Sequence, residues 1–241
     1  MPAKKPLLPT KVLALRTPVE SQLSPDGQHI ALIDVVLNDD NKEYERHLGL
    51  LPAAGGPIRR LTFTHTSISQ PRWTPDSRTL AFVSKGPDSS EKKPRQIWQL
   101  CLDGGEPNPI TEAPAGAHNP AWSPDGRSLL YIAPEQPSEE EKLLLEKGGI
   151  VVVDRFVKMH QLWLLDLASG ESRQLTRDRS SKAAASFSPD GKRIAFEQRS
   201  DPTHNHEYQS SLYTIDANGK NKKKISSING SDTGPCFSPD G

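Results

Sequence analysis

The sequence predicts an all-β chain, a β-propeller of four-stranded antiparallel blades, and three observations carry that prediction. A turn motif recurs five times, as Ser24-Pro25-Asp26-Gly27, Thr74-Pro75-Asp76-Ser77, Ser123-Pro124-Asp125-Gly126, Ser188-Pro189-Asp190-Gly191 and Ser238-Pro239-Asp240-Gly241. Asp to Asp, the steps are 50, 49, 65 and 50 residues, the size of period that marks a repeat architecture. A second hairpin follows in fixed register: Trp98 to Thr111, Trp163 to Thr176 and Tyr213 to Ser226 are each 13 residues apart. Finally, only 34% of the chain is hydrophobic and 22 residues are proline, which suits many short strands joined by turns. One small sheet cannot cover both its faces alone, whereas stacked blades can.

Each repeat opens with a hairpin. In the third, Trp122 and Leu129 to Ile132 are strand formers flanking the turn. There Pro pre-sets φ, Asp bonds nearby backbone N–H groups and Gly takes the left-handed conformation. Ser77 replaces that Gly in the second copy, at a cost of about 1 kcal/mol. Ahead of the first hairpin, Val12-Leu13-Ala14-Leu15 reads as a brief helix or an edge strand. A polar loop Asn38–Arg46, a strand at Leu48 to Leu51, a Gly55-Gly56 turn and a strand ending Arg60-Leu61-Thr62 complete the first repeat. The expected blades are 12–66, 67–115, 116–180 and 181–232, with a partial fifth at 233–241. Alternation places Trp98, Leu100 and Leu102 on one strand face and Ile97, Gln99 and Cys101 on the other.

The third repeat is long because Asp125 to Trp163 spans 38 residues, against 22 from Asp76 to Trp98. The extra residues include Ser138 and Glu141 as a capping box and Gly148 as a stop, which predict a short helix. A strand run, Ile150 to Val153, then leads to Asp154 and Arg155. In an up-and-down blade of strands a to d, the a–b and c–d turns share one rim. The b–c loops and the connections between blades share the other, which therefore carries the longer segments and His65 and His118.

Thirty basic and thirty acidic side chains cancel, so no overall field draws the chain to nucleic acid or an anionic membrane. No run approaches a membrane span, and Met-Pro-Ala-Lys-Lys-Pro is followed by no apolar signal region, which points to the cytoplasm. Cys101 and Cys236 read as reduced, half-buried thiols. The aspartates of the five turns read as turn formers, not as a row of catalytic or metal-binding carboxylates. His204 and His206 beside Glu207 read as a solvated loop, and Lys220 with Lys222 to Lys224 as a solvated hairpin. His65 and His118 are candidates for a tunnel mouth or domain interface, and Asp154 and Arg155 for contact with a peptide terminus or a further domain. No cofactor or metal is expected.

The repeated Trp-Ser-Pro-Asp-Gly with a following Ile-Ala-Phe, an Ile-Trp-Leu strand and a closing Leu-Thr resembles the TolB-like propeller repeat. The opening Leu15 to Gly27, the acidic insertion Glu139 to Arg155 and the strand His160 to Leu167 are similar to the N-terminal propeller of prolyl oligopeptidase family serine peptidases, in the acylaminoacyl-peptidase and dipeptidyl-peptidase branch. The resemblance implies seven blades, of which about four and a half are present, and an N-terminal piece of a longer chain. It also implies an α/β-hydrolase domain with a Ser-Asp-His triad, its Ser in Gly-x-Ser-x-Gly. That motif is absent from these residues, so no catalytic residue is expected among them. The implied partners are a peptide substrate and the hydrolase domain, with homo-oligomerisation left open. The rival reading is a non-catalytic TolB-like scaffold that binds a protein on its loop-rich rim.

Overall fold

The computed structural model describes residues 16–38, 43–65, 67–87, 93–136, 138, 139, 143, 157–203, 209–226 and 230–241. Blade 1 comprises β1 (Thr17–Leu23), β2 (His29–Leu37), β3 (Tyr44–Pro52) and β4 (Arg59–Arg60). Blade 2 comprises β5 (Ser69–Trp73), β6 (Thr79–Ser84), β7 (Gln96–Cys101) and β8 (Asn108–Pro109). In blade 3 the strands are β9 (His118–Trp122), β10 (Ser128–Pro134), β11 (His160–Asp166) and β12 (Ser172–Gln174). Those of blade 4 are β13 (Ser181–Phe187), β14 (Arg193–Arg199), β15 (Ser210–Asp216) and β16 (Lys223–Lys224). In each sheet the strands lie in chain order, an antiparallel meander. The chain divides into two compact units, one of residues up to Lys93 with Trp98–Pro107, the other of Pro94–Ile97 with Asn108–Gly241.

The turn motif works by local hydrogen bonding. Ser24 Oγ donates to Asp26 Oδ1 at 2.5 Å, and that oxygen also accepts from Gln28 N at 3.0 Å. Ser24 Oγ in turn accepts from His29 N at 2.9 Å. The same set is built on Thr74 and Asp76, Ser123 and Asp125, and Ser188 and Asp190. These hydroxyl bonds hold each of the four carboxyls below its usual range, and Ser238 does the same for Asp240. The aspartates are thus committed to turns. Ser77 is left-handed at φ 61°, as its place demands, and its Oγ accepts from Asp26 N at 3.1 Å, a bond that a Gly could not make.

A second rule explains the 13-residue spacing. The fourth strands are only two or three residues long, shorter than the sequence pattern suggests, because the hydroxyl residue that follows uses its side chain in place of a ladder bond. Leu48 N donates to Thr62 Oγ1 at 3.1 Å, Ile97 N to Thr111 at 2.9 Å, Leu162 N to Thr176 at 3.0 Å and Leu212 N to Ser226 Oγ at 3.0 Å. Thr111 and Thr176 also donate to the Oε1 of Gln96 and Gln161, at 2.8 and 2.7 Å. These clamps leave the c strand's buried N–H satisfied.

Apolar faces pack in pairs. Ala31, Ile33, Leu48 and Leu50 of blade 1 meet Leu80, Phe82 and Leu100 of blade 2, with Trp98 and Leu102 against them on the face that alternation assigns. Within the second unit Leu130, Ile132 and Leu162 of blade 3 meet Ile194, Phe196 and Ile215 of blade 4. All four first strands carry a bulge against their partner. In blades 2 and 3 it falls at Gln70 and Asn119, left-handed at φ 54° and 52°.

Three expectations need correction. The c strand of blade 1 starts at Tyr44, because Val35 pairs with Arg46, Val36 with Glu45 and Leu37 with Tyr44, so the polar loop is shorter than Asn38–Arg46. Cys101 and Cys236 are free but exposed, the former ending β7 at a turn and the latter lying outside the strands. Lys222 is not simply solvated, as shown below. Glu139 and Leu143 are helical, as the capping box predicts. The rest of that insertion with Asp154 and Arg155, the segment Val12 to Leu15, and His204, His206 and Glu207 lie outside the described residues.

Candidate functional site

In the second unit the ends of β9 and β11 bring together a cluster at the loop-side end of blade 3. His118 opens β9 and pairs with Ile132, while His160 opens β11 opposite Pro134. Their rings meet edge to face with centroids 5.0 Å apart. Burial, then the neighbouring His160 and Arg95, lower the His118 imidazole to about 4. Burial also lowers His160. Both rings are therefore neutral at pH 7, each offering one N–H donor and one lone pair, and Arg95 supplies the charge. His160 N donates to Ser181 Oγ at 3.2 Å and the Asn119 amide to Ala183 O, tying the cluster to the first strand of blade 4. Such an arrangement can hold a carboxylate or peptide carbonyl on the rim. Among the described residues no group of three His, Cys, Asp or Glu is placed to hold a metal.

His65 lies in the first unit, and there it is core. It is 7% exposed, with Nδ1 3.2 Å from Ser84 Oγ and its ring edge-on to Trp98 at 4.5 Å and Phe82 at 5.5 Å. Burial lowers its pKa. The Trp98 indole N–H donates to Ser84 O at 3.2 Å, and Gly86 (φ 87°) lies so close that a Cβ there would come within 2.6 Å of the indole.

The corresponding place in blade 3 is hollow. A cavity of about 610 Å³ runs between the segment Pro109 to Pro114 and the face of blade 3 that carries Tyr131, Trp163 and Gln174. Tyr131 and Trp163 stack with centroids 6.3 Å apart and planes 18° from parallel. In blade 4 the equivalent ring, Tyr213, lies 4.8 Å from Lys222 Nζ, which donates to Asp178 Oδ2 and Gln198 Oε1, both at 2.5 Å. Asp178 also binds Lys182, whose side chain has no exposed surface and whose Nζ donates to Ser180 O at 2.9 Å. Burial pushes the Asp178 carboxyl up, but bonds from Lys182, Lys222 and Ser180 outweigh it and bring it down to about 2.

No family model matches the chain. An uncharacterised peptidase of Bacillus subtilis (strain 168), YuxL, is 27% identical over 210 residues, covering 80% of this chain and 31% of the relative. The chain thus spans about a third of the length of the curated relative it matches. A TolB from Agrobacterium tumefaciens superposes with TM-score 0.62 at 18% identity, over 87% of this chain and 65% of that one. The acylaminoacyl peptidase of Pyrococcus horikoshii gives 0.59 at 17%, over 88% and 33%. At these identities the solved structures establish the fold, and the peptidase relative gives the sequence link. The chain is a β-propeller, similar in fold to TolB and to acylaminoacyl peptidases and similar in sequence to a peptidase.

Of the residues singled out in the sequence, the structure places His118 in a rim cluster and His65 in the packing of the propeller's second blade. Sequence reading missed His160 and Arg95 as cluster members. They occupy the same repeat position, three residues before the c-strand tryptophan, and aligning blade on blade would have shown both. The cavity was missed too, although its signal is in the repeats. His65, Ser84 and Gly86 in one become Pro114, Ala133 and Glu135 in the next.

Proposed function

We propose that this propeller is part of a serine exopeptidase that hydrolyses short peptides in the manner of acylaminoacyl or dipeptidyl peptidases. The observation that carries the reading is the sequence relationship to a peptidase, which the likeness to TolB proteins alone would not favour over a binding scaffold. On this reading a hydrolase domain performs acyl transfer by a triad and oxyanion hole, and the propeller limits access and holds the substrate. The His118, His160 and Arg95 cluster supports that role, because neutral imidazoles beside a guanidinium suit a peptide carbonyl or carboxylate. The test is hydrolysis of acyl-aminoacyl and dipeptidyl chromogenic substrates by the protein expressed from its complete reading frame. Turnover blocked by a serine-directed inhibitor is expected, with Arg95→Ala raising KM more than it lowers kcat. A full-length protein without turnover that captures a protein partner through the rim would favour the scaffold.

A further inference from the structure

We infer that the cavity on blade 3 is a binding site for an organic cation with a flat apolar body, of the alkylguanidinium or aromatic amidine class. This goes beyond the peptidase reading and does not depend on it. The repeat itself supplies the reference. In blade 2 the c-strand indole is closed over by His65, bonded through its N–H to Ser84 O, and approached by Gly86. In blade 3 the three counterparts, Pro114, Ala133 and Glu135, all line the cavity. The lid over the indole is not rebuilt: Pro114 has no imidazole, Ala133 lacks the hydroxyl that in blade 2 meets the His65 ring and Gly86 N, and Glu135 adds a charge where Gly86 made room.

The consequence is an aromatic wall with spare capacity. Among the described residues the Trp163 indole N–H has no hydrogen-bond partner, and Tyr131 stacked beside it is buried. The charge on the lining is one-sided. Glu112 and Glu135 contribute carboxylates, the latter accepting from Gln161 Nε2 at 3.3 Å, and among the described residues no Lys, Arg or His lines the cavity. Tryptophan and tyrosine faces with two negative charges attract a cation that can stack, through ring quadrupole and Coulomb terms together. The volume is in the range of small-molecule pockets and exceeds what one water or ion needs. In blade 2 the same place is filled by an imidazole edge-on to the indole, so a planar nitrogen-bearing group is the shape the position accepts.

The experiment is titration of the protein expressed from its complete reading frame with benzamidine, read by the Trp163 indole N–H signal and assigned by its loss in Trp163→Phe. Saturable movement of Trp163 is expected, with Trp98 unmoved and neutral benzamide about tenfold weaker. Glu112→Gln with Glu135→Gln should weaken benzamidine about tenfold and leave benzamide unchanged. Pro114→His, Ala133→Ser and Glu135→Gly together should close the cavity, abolishing binding while keeping the thermal midpoint. Competition by an internal arginine in a blocked peptide would assign the cation to a peptide side chain, whereas competition by free agmatine alone would assign it to a small amine. Equal affinity for benzamide and benzamidine, indifference to the glutamate changes, or a motionless Trp163 would overturn the inference.

Discussion

Trp98 in blade 2 and Trp163 in blade 3 stand at the same step of the repeat, each 13 residues before its clamping threonine. One is held by His65, Ser84 and Gly86, while the other borders a cavity, its N–H without a partner among the described residues. The backbones agree, down to the left-handed bulges at Gln70 and Asn119. The difference lies in three side chains. A repeat fold therefore separates two tasks: turns and clamps fix the frame, and the residues around the c-strand aromatic are free to close or open a site without disturbing it.

The largest expected effect is a direct contrast of the two rings. Trp98→Ala should cost about 4 kcal/mol of unfolding free energy, and Trp163→Ala less than half of that, because the second ring has packing partners on fewer sides. Denaturant titration of both variants checks this, and equal losses would erase the distinction. Blade 4 offers a third filling of the same place, by Lys222 and Asp178. Asp178→Asn leaves the buried Lys182 ammonium without its carboxylate and should cost about 3 kcal/mol. A near-neutral result would mean that Ser180 alone suffices.

Much of this frame was legible in the sequence, for physical reasons. Pro, Asp and Gly in a fixed order encode a turn locally, and the constant spacing to a hydroxyl residue showed that the register is kept, whereas the bond from that hydroxyl to the c strand came only with the structure. For His65 the sequence offered only its place on a connection, the ground for a tunnel-mouth or interface role, and its packing edge-on to the Trp98 indole came with the fold. The exposed cysteines were misjudged. Cys101 sits in an apolar strand pattern but at its last position, where the chain leaves the sheet. Lys222 reads as one charge in a basic run, and only the fold brings Asp178, 44 residues away in sequence, to its ammonium.

If the clamps belong to the shared frame, Thr111→Val and Thr176→Val should be matched, each costing about 2 kcal/mol because a buried strand N–H loses its partner and a glutamine carbonyl loses one donor, although Gln96 Oε1 keeps the Ala113 N–H at 3.0 Å. A large inequality between them would show that the open blade is also the weaker one. The smallest effect concerns pH. His118 titrates near 4 in the folded chain against 6.5 ordinarily, so the unfolded state binds more protons in between. Stability should be full above about pH 6.5 and fall as pH drops toward 4. His118→Gln should flatten that part of a plot of thermal midpoint against pH, and an unchanged slope would place the titration elsewhere.

The most direct test of the contrast between the blades is hydrogen exchange at the two indole nitrogens, measured on one sample. The Trp98 N–H, bonded to Ser84 O under the His65 ring, should be protected and exchange only through opening of the blade. The Trp163 N–H should exchange at the rate of an accessible indole. Equal protection of the two would contradict the account, because it would mean that blade 3 is closed in solution as blade 2 is.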